Sequence, residues 1–201
     1  MRYTRFNARS PVDSHVNLDD IETIAVLGAG TMGHGIAEVA AIAGYDVRLR
    51  DINDDLIADG IDQIEWSLDK LVEHERITRD EANTARERIT GIVPVEDAVG
   101  EADVIIEAVP EKMEIKREVF TAVSESAPEE AIFASNTSSL SISAIAAVTD
   151  RPERFCGMHF FNPPVRMDLV EVIAGEQSDD GVLDTIESLA ENMGKKPVLR
   201  P

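Results

Sequence analysis

The sequence predicts an α/β domain built on a doubly wound, mostly parallel sheet. Three observations carry that reading. A glycine-rich turn, Gly28-x-Gly30-x-x-Gly33, stands between an apolar run and a helical pattern. Buried-strand and helix patterns alternate through most of the chain, which argues for βαβ units with helices on both faces. Near the end, two apolar segments flank a proline-closed turn, so a C-terminal antiparallel addition is expected.

Each element has a local reason. Residues 22–27 form a short apolar strand that enters the glycine turn, and the helix after it should run to about Ala43, where Gly44 ends it. Val47–Asp51 reads as the second strand. A long helical region follows over about 54–90, with Leu56, Ile57, Ile61, Ile64, Leu68, Leu71 and Val72 at the 3–4 spacing of one buried face. Ile77-Thr78 should turn the chain and Arg79-Asp80-Glu81 start a second helix, giving a helical hairpin insertion.

The alternation resumes at Asp103–Val109, a buried strand stopped by Pro110. A helix over 112–126, a strand over 131–135 and a short helix capped by Ser141 come next. After the hairpin, a helix over about 180–193 ends at Gly194, and Lys196–Arg200 forms a final short strand. Residues 1–20 are expected to be a disordered polar arm, and 21–201 one domain without internal repeats or linkers.

Composition excludes several classes. The formal charge is −20, with 39 acidic residues against 19 Lys and Arg. Nucleic acid and anionic membranes should be repelled. The acid is spread out and Lys is scarce, as expected of a surface adapted to salt, where screening falls to about 3 Å at 1 M. No apolar run approaches the ~20 residues of a membrane span, and the start lacks the apolar core of a signal peptide. A cytoplasmic location is expected. The single cysteine, Cys156, excludes an internal disulfide. The histidines have no metal-ligand spacing, so no metal is expected.

The glycine triplet gains weight from its context, because Asp51 ends the strand that follows the helix. Gly28 permits the tight turn, Gly30 lets the backbone approach a pyrophosphate, and Gly33 allows close helix–strand packing. Free N–H groups at the helix start, around Ala29, Thr31 and Met32, would hold the anion. Asp51 would accept ribose hydroxyls and repel a 2′-phosphate, favouring NAD over NADP. Arg48 and Arg50 should project away from it or along the sheet. A Rossmann-type cofactor domain is the expectation.

The hairpin carries a second constellation. If Met158-His159-Phe160-Phe161-Asn162-Pro163-Pro164 and Leu169-Val170-Glu171-Val172-Ile173 pair about Val165, His159 faces Glu171. Opposed residues have Cβ atoms about 4.5–5.5 Å apart, so imidazole and carboxylate can share a hydrogen bond. That is the arrangement of a general base held by an orienting acid. Alone, His159 would read as a satisfied structural histidine. The opposed acid and the upstream nucleotide motif favour catalysis.

These segments together resemble the NAD-binding domain of the 3-hydroxyacyl-CoA dehydrogenase family over about residues 22–200. The resemblance rests on Val26–Gly33, Ile106–Glu111, Phe133–Leu140 and His159–Pro163 with Glu171. It implies oxidation of the 3-hydroxyl of a fatty acyl-CoA, as in β-oxidation or butanoate-type metabolism, with hydride passed to NAD. His159 would take the hydroxyl proton, Glu171 would orient the ring, and Ser138 would contact the substrate oxygen near the nicotinamide. Glu111, Lys116 and Asn162 match cofactor-contacting positions, although from the residues alone Glu111 and Lys116 read as a solvated first helical turn. Ser67 matches a position that touches coenzyme A. Where the family carries a lysine further along that helix, this chain has His74, and Lys70 lies on a similar face.

The resemblance also implies a helical C-terminal domain, which these 201 residues do not contain. The chain is therefore expected to bind NAD with little turnover alone, and to act with a complementing chain or as a homo-oligomer. Two alternatives stay open: a non-catalytic dinucleotide-binding module, and another two-domain NAD-dependent hydroxyacid dehydrogenase. The short-chain type is disfavoured, because neither Tyr3 nor Tyr45 has a lysine four residues on.

Overall fold

The computed structural model describes residues 17–201. Among these residues eight strands form one sheet: β1 (Thr23–Leu27), β2 (Asp46–Arg50), β3 (Ile89–Ile92), β4 (Val104–Glu107), β5 (Ile132–Ser135), β6 (Phe155–Phe160), β7 (Leu169–Ala174) and β8 (Lys196–Arg200). Their spatial order is β3-β2-β1-β4-β5-β6-β7-β8. The first six are parallel; β7 runs antiparallel to β6, and β8 is parallel to β7. The order reverses between β1 and β4, which opens a crevice at the carboxyl ends of the strands.

Among the described residues seven helices cover the sheet: α1 (Gly33–Ile42), α2 (Asp54–Glu73), α3 (Arg79–Glu87), α4 (Val95–Val99), α5 (Met113–Ser126), α6 (Ile142–Ala146) and α7 (Asp180–Asn192). Alternation along the strands sends side chains to opposite faces. Ile24, Val26, Ile106, Met158 and Val172 join α1 and α7 in one core. Leu27, Ile105, Phe133 and Phe155 meet Phe120, Val123 and Ile145 in the other. There Phe120 and Phe155 stack edge to face at 4.6 Å, a geometry their quadrupoles favour.

Local signals act as the sequence predicts. Gly44 takes φ 103° after α1. Thr78 and Glu81 form a reciprocal capping box that starts α3. Ser141 Oγ accepts the Ala144 N–H at the head of α6. Two expectations are corrected. The helical stretch expected over 54–90 ends at Glu87, and β3 and α4 follow before β4. Residues 1–16 of the expected polar arm lie outside the described residues. Its end is a 3-10 turn, Leu18–Asp20, and Leu18 packs against the core.

Candidate active site

The nucleotide turn has three glycines with three different constraints. Gly28 has φ 103°, and a Cβ there would lie 2.8 Å from the Ala108 carbonyl oxygen. At Gly33 a Cβ would fall 1.6 Å from the Gly28 carbonyl oxygen, so α1 packs directly on the turn. At Gly30 it would meet nothing within 4 Å. Gly30 therefore borders open space in front of the helix start, where first-turn N–H groups lack helical partners. That space fits a pyrophosphate held by the turn and the helix dipole.

Asp51 stands beside the turn. Its Oδ2 accepts the Ala29 N–H at 2.7 Å and its Oδ1 the Ile52 N–H at 2.7 Å. The carboxylate thus ties the end of β2 to the glycine turn and keeps lone pairs for a ribose. Arg48 turns away, to Glu101 and the Asp97 carbonyl. Arg50 reaches along the sheet, its Nε donating to the Val93 carbonyl at 3.0 Å, and the residue also borders the cleft. Ile52 and Leu56 add an apolar wall there.

A cleft of about 760 Å³ runs from this turn along the carboxyl ends of β1, β4, β5 and β6. Its size lies in the range of small-molecule sites. Gly28, Gly30, Thr31, Met32, Asp51, Glu111, Ser138, His159 and Asn162 all line it. Ala29 and Gly33 lie behind that lining, with the Ala29 N–H already on Asp51.

At the far end, β6 and β7 pair with His159 opposite Glu171, as the register about Val165 predicts. His159 Nδ1 is 3.0 Å from Glu171 Oε2, which leaves Nε2 as the other ring nitrogen. The Phe161 ring lies 4.7 Å from the imidazole. Glu171 Oε1 receives Arg200 Nε and Nη2. The His159 and Arg200 contacts hold the Glu171 carboxyl below its ordinary range.

Glu111 anchors the Ser138 loop. Its Oε1 accepts Thr137 Oγ1 at 2.7 Å, the Ser138 N–H at 2.9 Å and Ser138 Oγ at 3.1 Å. Burial pushes this carboxyl up, but the bonds from Thr137 and Ser138 and the Lys116 ammonium outweigh it and hold it at about 2. Lys116 is no solvated residue. It is 1% exposed and donates to Glu107 Oε1 at 2.7 Å, with Glu111 Oε2 3.3 Å away. Glu107 Oε1 also accepts the Val109 N–H, and its Oε2 the Ser135 hydroxyl. Lys116 is outside the cleft lining and bears on the site through Glu111 and the Val109 backbone.

Ser67 lies apart from the cleft lining. It faces Glu38 of α1, a residue 1% exposed whose two carboxyl oxygens have no full hydrogen bond. Burial raises the Glu38 carboxyl to about 7, and nearby Ser67 only partly offsets this. Residues not singled out from sequence include Asn136, which lines the cleft and whose Oδ1 accepts the Phe160 N–H at 2.8 Å. Glu107, Thr137 and Arg200 were also missed. Among the described residues no helix is long and apolar enough to cross a membrane, and no group of three or more His, Cys, Asp or Glu could hold a metal ion.

The switch-point crevice, the glycine turn and the carboxylate that ends β2 define the dinucleotide-binding domain of a dehydrogenase class. Residues 23–200 match the family model for the 3-hydroxyacyl-CoA dehydrogenase NAD binding domain, and the chain belongs to that family. It is 41% identical over 176 residues to a 3-hydroxybutyryl-CoA dehydrogenase of Bradyrhizobium diazoefficiens, covering 88% of this chain and 60% of that protein. It is 43% identical over 183 residues to a fatty acid oxidation complex subunit alpha of Psychrobacter, covering 91% of this chain and 25% of that subunit. A crystal structure of (S)-3-hydroxybutyryl-CoA dehydrogenase from Ralstonia eutropha superposes with a TM-score of 0.87 at 40% identity, over 89% of this chain and 63% of that one. The chain thus spans less than two thirds of these relatives.

Proposed function

We propose that this chain supplies the cofactor and acid–base half of an enzyme that oxidises the 3-hydroxyl of a 3-hydroxyacyl-CoA to a ketone. The observation that carries this is His159, held by Glu171 and lining the same cleft as Gly30 and Asp51. NAD, when bound there, supplies the acceptor for hydride from C3. Gly30 and the N–H groups of Thr31 and Met32 hold its pyrophosphate, and Asp51 its ribose.

The residues' own chemistry follows from the hydrogen bonds. Glu171 accepts Nδ1–H, which fixes the tautomer and leaves Nε2 as proton acceptor. Nε2 takes the proton of the substrate hydroxyl, and Glu171 stabilises the imidazolium that results. Ser138 donates to the same substrate oxygen, its loop held by Glu111. Asn162 orients the cofactor near that oxygen. Ser67 sits on α2 beside Glu38, and coenzyme A would meet it outside the cleft lining. A helical C-terminal domain, in the same or a complementing chain, closes the cleft, and homo-oligomers fit the same arrangement. The single buried thiol, Cys156, is in keeping with a cytoplasmic setting.

The test is NADH oxidation by acetoacetyl-CoA, with and without an added C-terminal domain. The isolated 201-residue chain should bind NAD with little turnover, and the added domain should restore it. His159→Gln should abolish the restored activity. No activity on adding the domain would leave a binding module as the surviving reading, and turnover by His159→Gln at the wild-type rate would remove His159 as the base.

A further inference from the structure

Arg200, at the end of β8, is not needed for any step above, yet it occupies half of the Glu171 carboxylate. Glu171 pairs with Val198 in the β7–β8 register, and Arg200 lies two residues further on the same face. Its Nε and Nη2 sit 3.0 and 2.7 Å from Glu171 Oε1, while Oε2 faces His159. A planar guanidinium that gives two donors to one oxygen fixes the orientation of the carboxylate as a single ammonium cannot.

We propose that Arg200 is a positioning residue for the dyad: it clamps Oε1 so that Oε2 meets the imidazole, and it moderates the negative charge His159 encounters. The proposal rests on the reading of His159 as the base. The competing view is a surface ion pair of little consequence, since the Arg200 side chain is 57% exposed. The Glu171 side chain is only 19% exposed, however, and its other oxygen is committed to the imidazole. Other charged groups here are already engaged. Lys196 pairs with Asp168 at 3.1 Å, and Glu111 is bound to Thr137 and Ser138.

The test needs no turnover. His159 ring resonances are titrated by NMR in the whole 201-residue chain, with the assignment taken from His159→Gln. In Arg200→Gln the carboxylate pulls harder on the imidazolium, so the midpoint should rise by about half a pH unit. Arg200→Lys keeps the charge and should remove most of that shift. The ring nitrogen spectrum of Arg200→Gln should also show weaker preference for the proton on Nδ1. An unmoved or lowered midpoint in Arg200→Gln overturns the proposal. Unaltered activity of His159→Gln would sink the catalytic reading instead, and the titration would still decide what Arg200 does.

Discussion

His159 Nδ1 lies 3.0 Å from Glu171 Oε2 across the antiparallel pairing of β6 and β7. The carboxylate accepts only, so it selects the imidazole tautomer with its proton on Nδ1. Glu171→Gln replaces that acceptor with an amide able to donate, which permits the opposite tautomer and removes the charge that stabilises imidazolium. With the C-terminal domain present, kcat should fall on the order of 100-fold while NAD affinity stays unchanged. Steady-state kinetics and calorimetric NAD titration measure the two separately. Loss of NAD binding in parallel with kcat would mean that the pair shapes the cleft instead.

Gly30 and Gly33 make opposite predictions from the same substitution. An alanine Cβ at position 33 would lie 1.6 Å from a backbone oxygen that cannot move without shifting β1 from α1. Gly33→Ala should cost at least about 3 kcal/mol by urea unfolding. At position 30 the methyl enters open space, so Gly30→Ala should keep its stability to within about 1 kcal/mol. It should weaken NAD binding at least ~10-fold, because the pyrophosphate can no longer approach the backbone. Unchanged affinity in a folded Gly30→Ala would remove the turn from the cofactor site.

The parts of the fold legible in the sequence are those with strong local periodicity or a clear stop. The register of the hairpin followed from two apolar segments about a proline turn, and the glycine turn from its flanking strand and helix. β3 was not legible. It is four residues long, and Gly91 dilutes its strand signal. That glycine is imposed from outside, since a Cβ there would lie 2.4 Å from Ile57 of α2. Glu107 looked like part of an apolar strand because its partners, Lys116 and Ser135, come from a helix and another strand. Arg200 met Glu171 only because α7 returns the chain to form a parallel strand beside β7. Such pairings are set by tertiary placement, which neither period nor propensity records.

Lys116 gives a stability prediction with a functional echo. Its ammonium compensates Glu107, which is fully buried. Lys116→Met preserves bulk but leaves that carboxylate without its cation. Removing one partner of a buried pair costs on the order of 3–5 kcal/mol. Thermal unfolding of Lys116→Met should show this loss, and Lys116→Met with Glu107→Gln should recover much of it. A Lys116→Met protein as stable as wild type would show that the network contributes little. The echo is in the Ser138 loop, since Lys116 also lies 3.3 Å from Glu111 Oε2.

Glu38 sets a pH dependence whose sign can be worked out. Its carboxyl is raised by burial to about 7 in the folded chain, from an ordinary value of 4.5. The unfolded chain therefore loses this proton first as pH rises. Stability from the neutral acid is fully present below about pH 4.5, declines between there and about pH 7, and levels off once the folded form also ionises. Glutamine has nearly the same shape and never ionises. Glu38→Gln should therefore match wild type near pH 4 and exceed it by on the order of 2 kcal/mol at pH 8. Urea unfolding across pH 4–8 measures the difference between the two curves. Parallel curves would mean that Ser67 or water satisfies the Glu38 carboxylate in solution, leaving the α1–α2 contact indifferent to its charge.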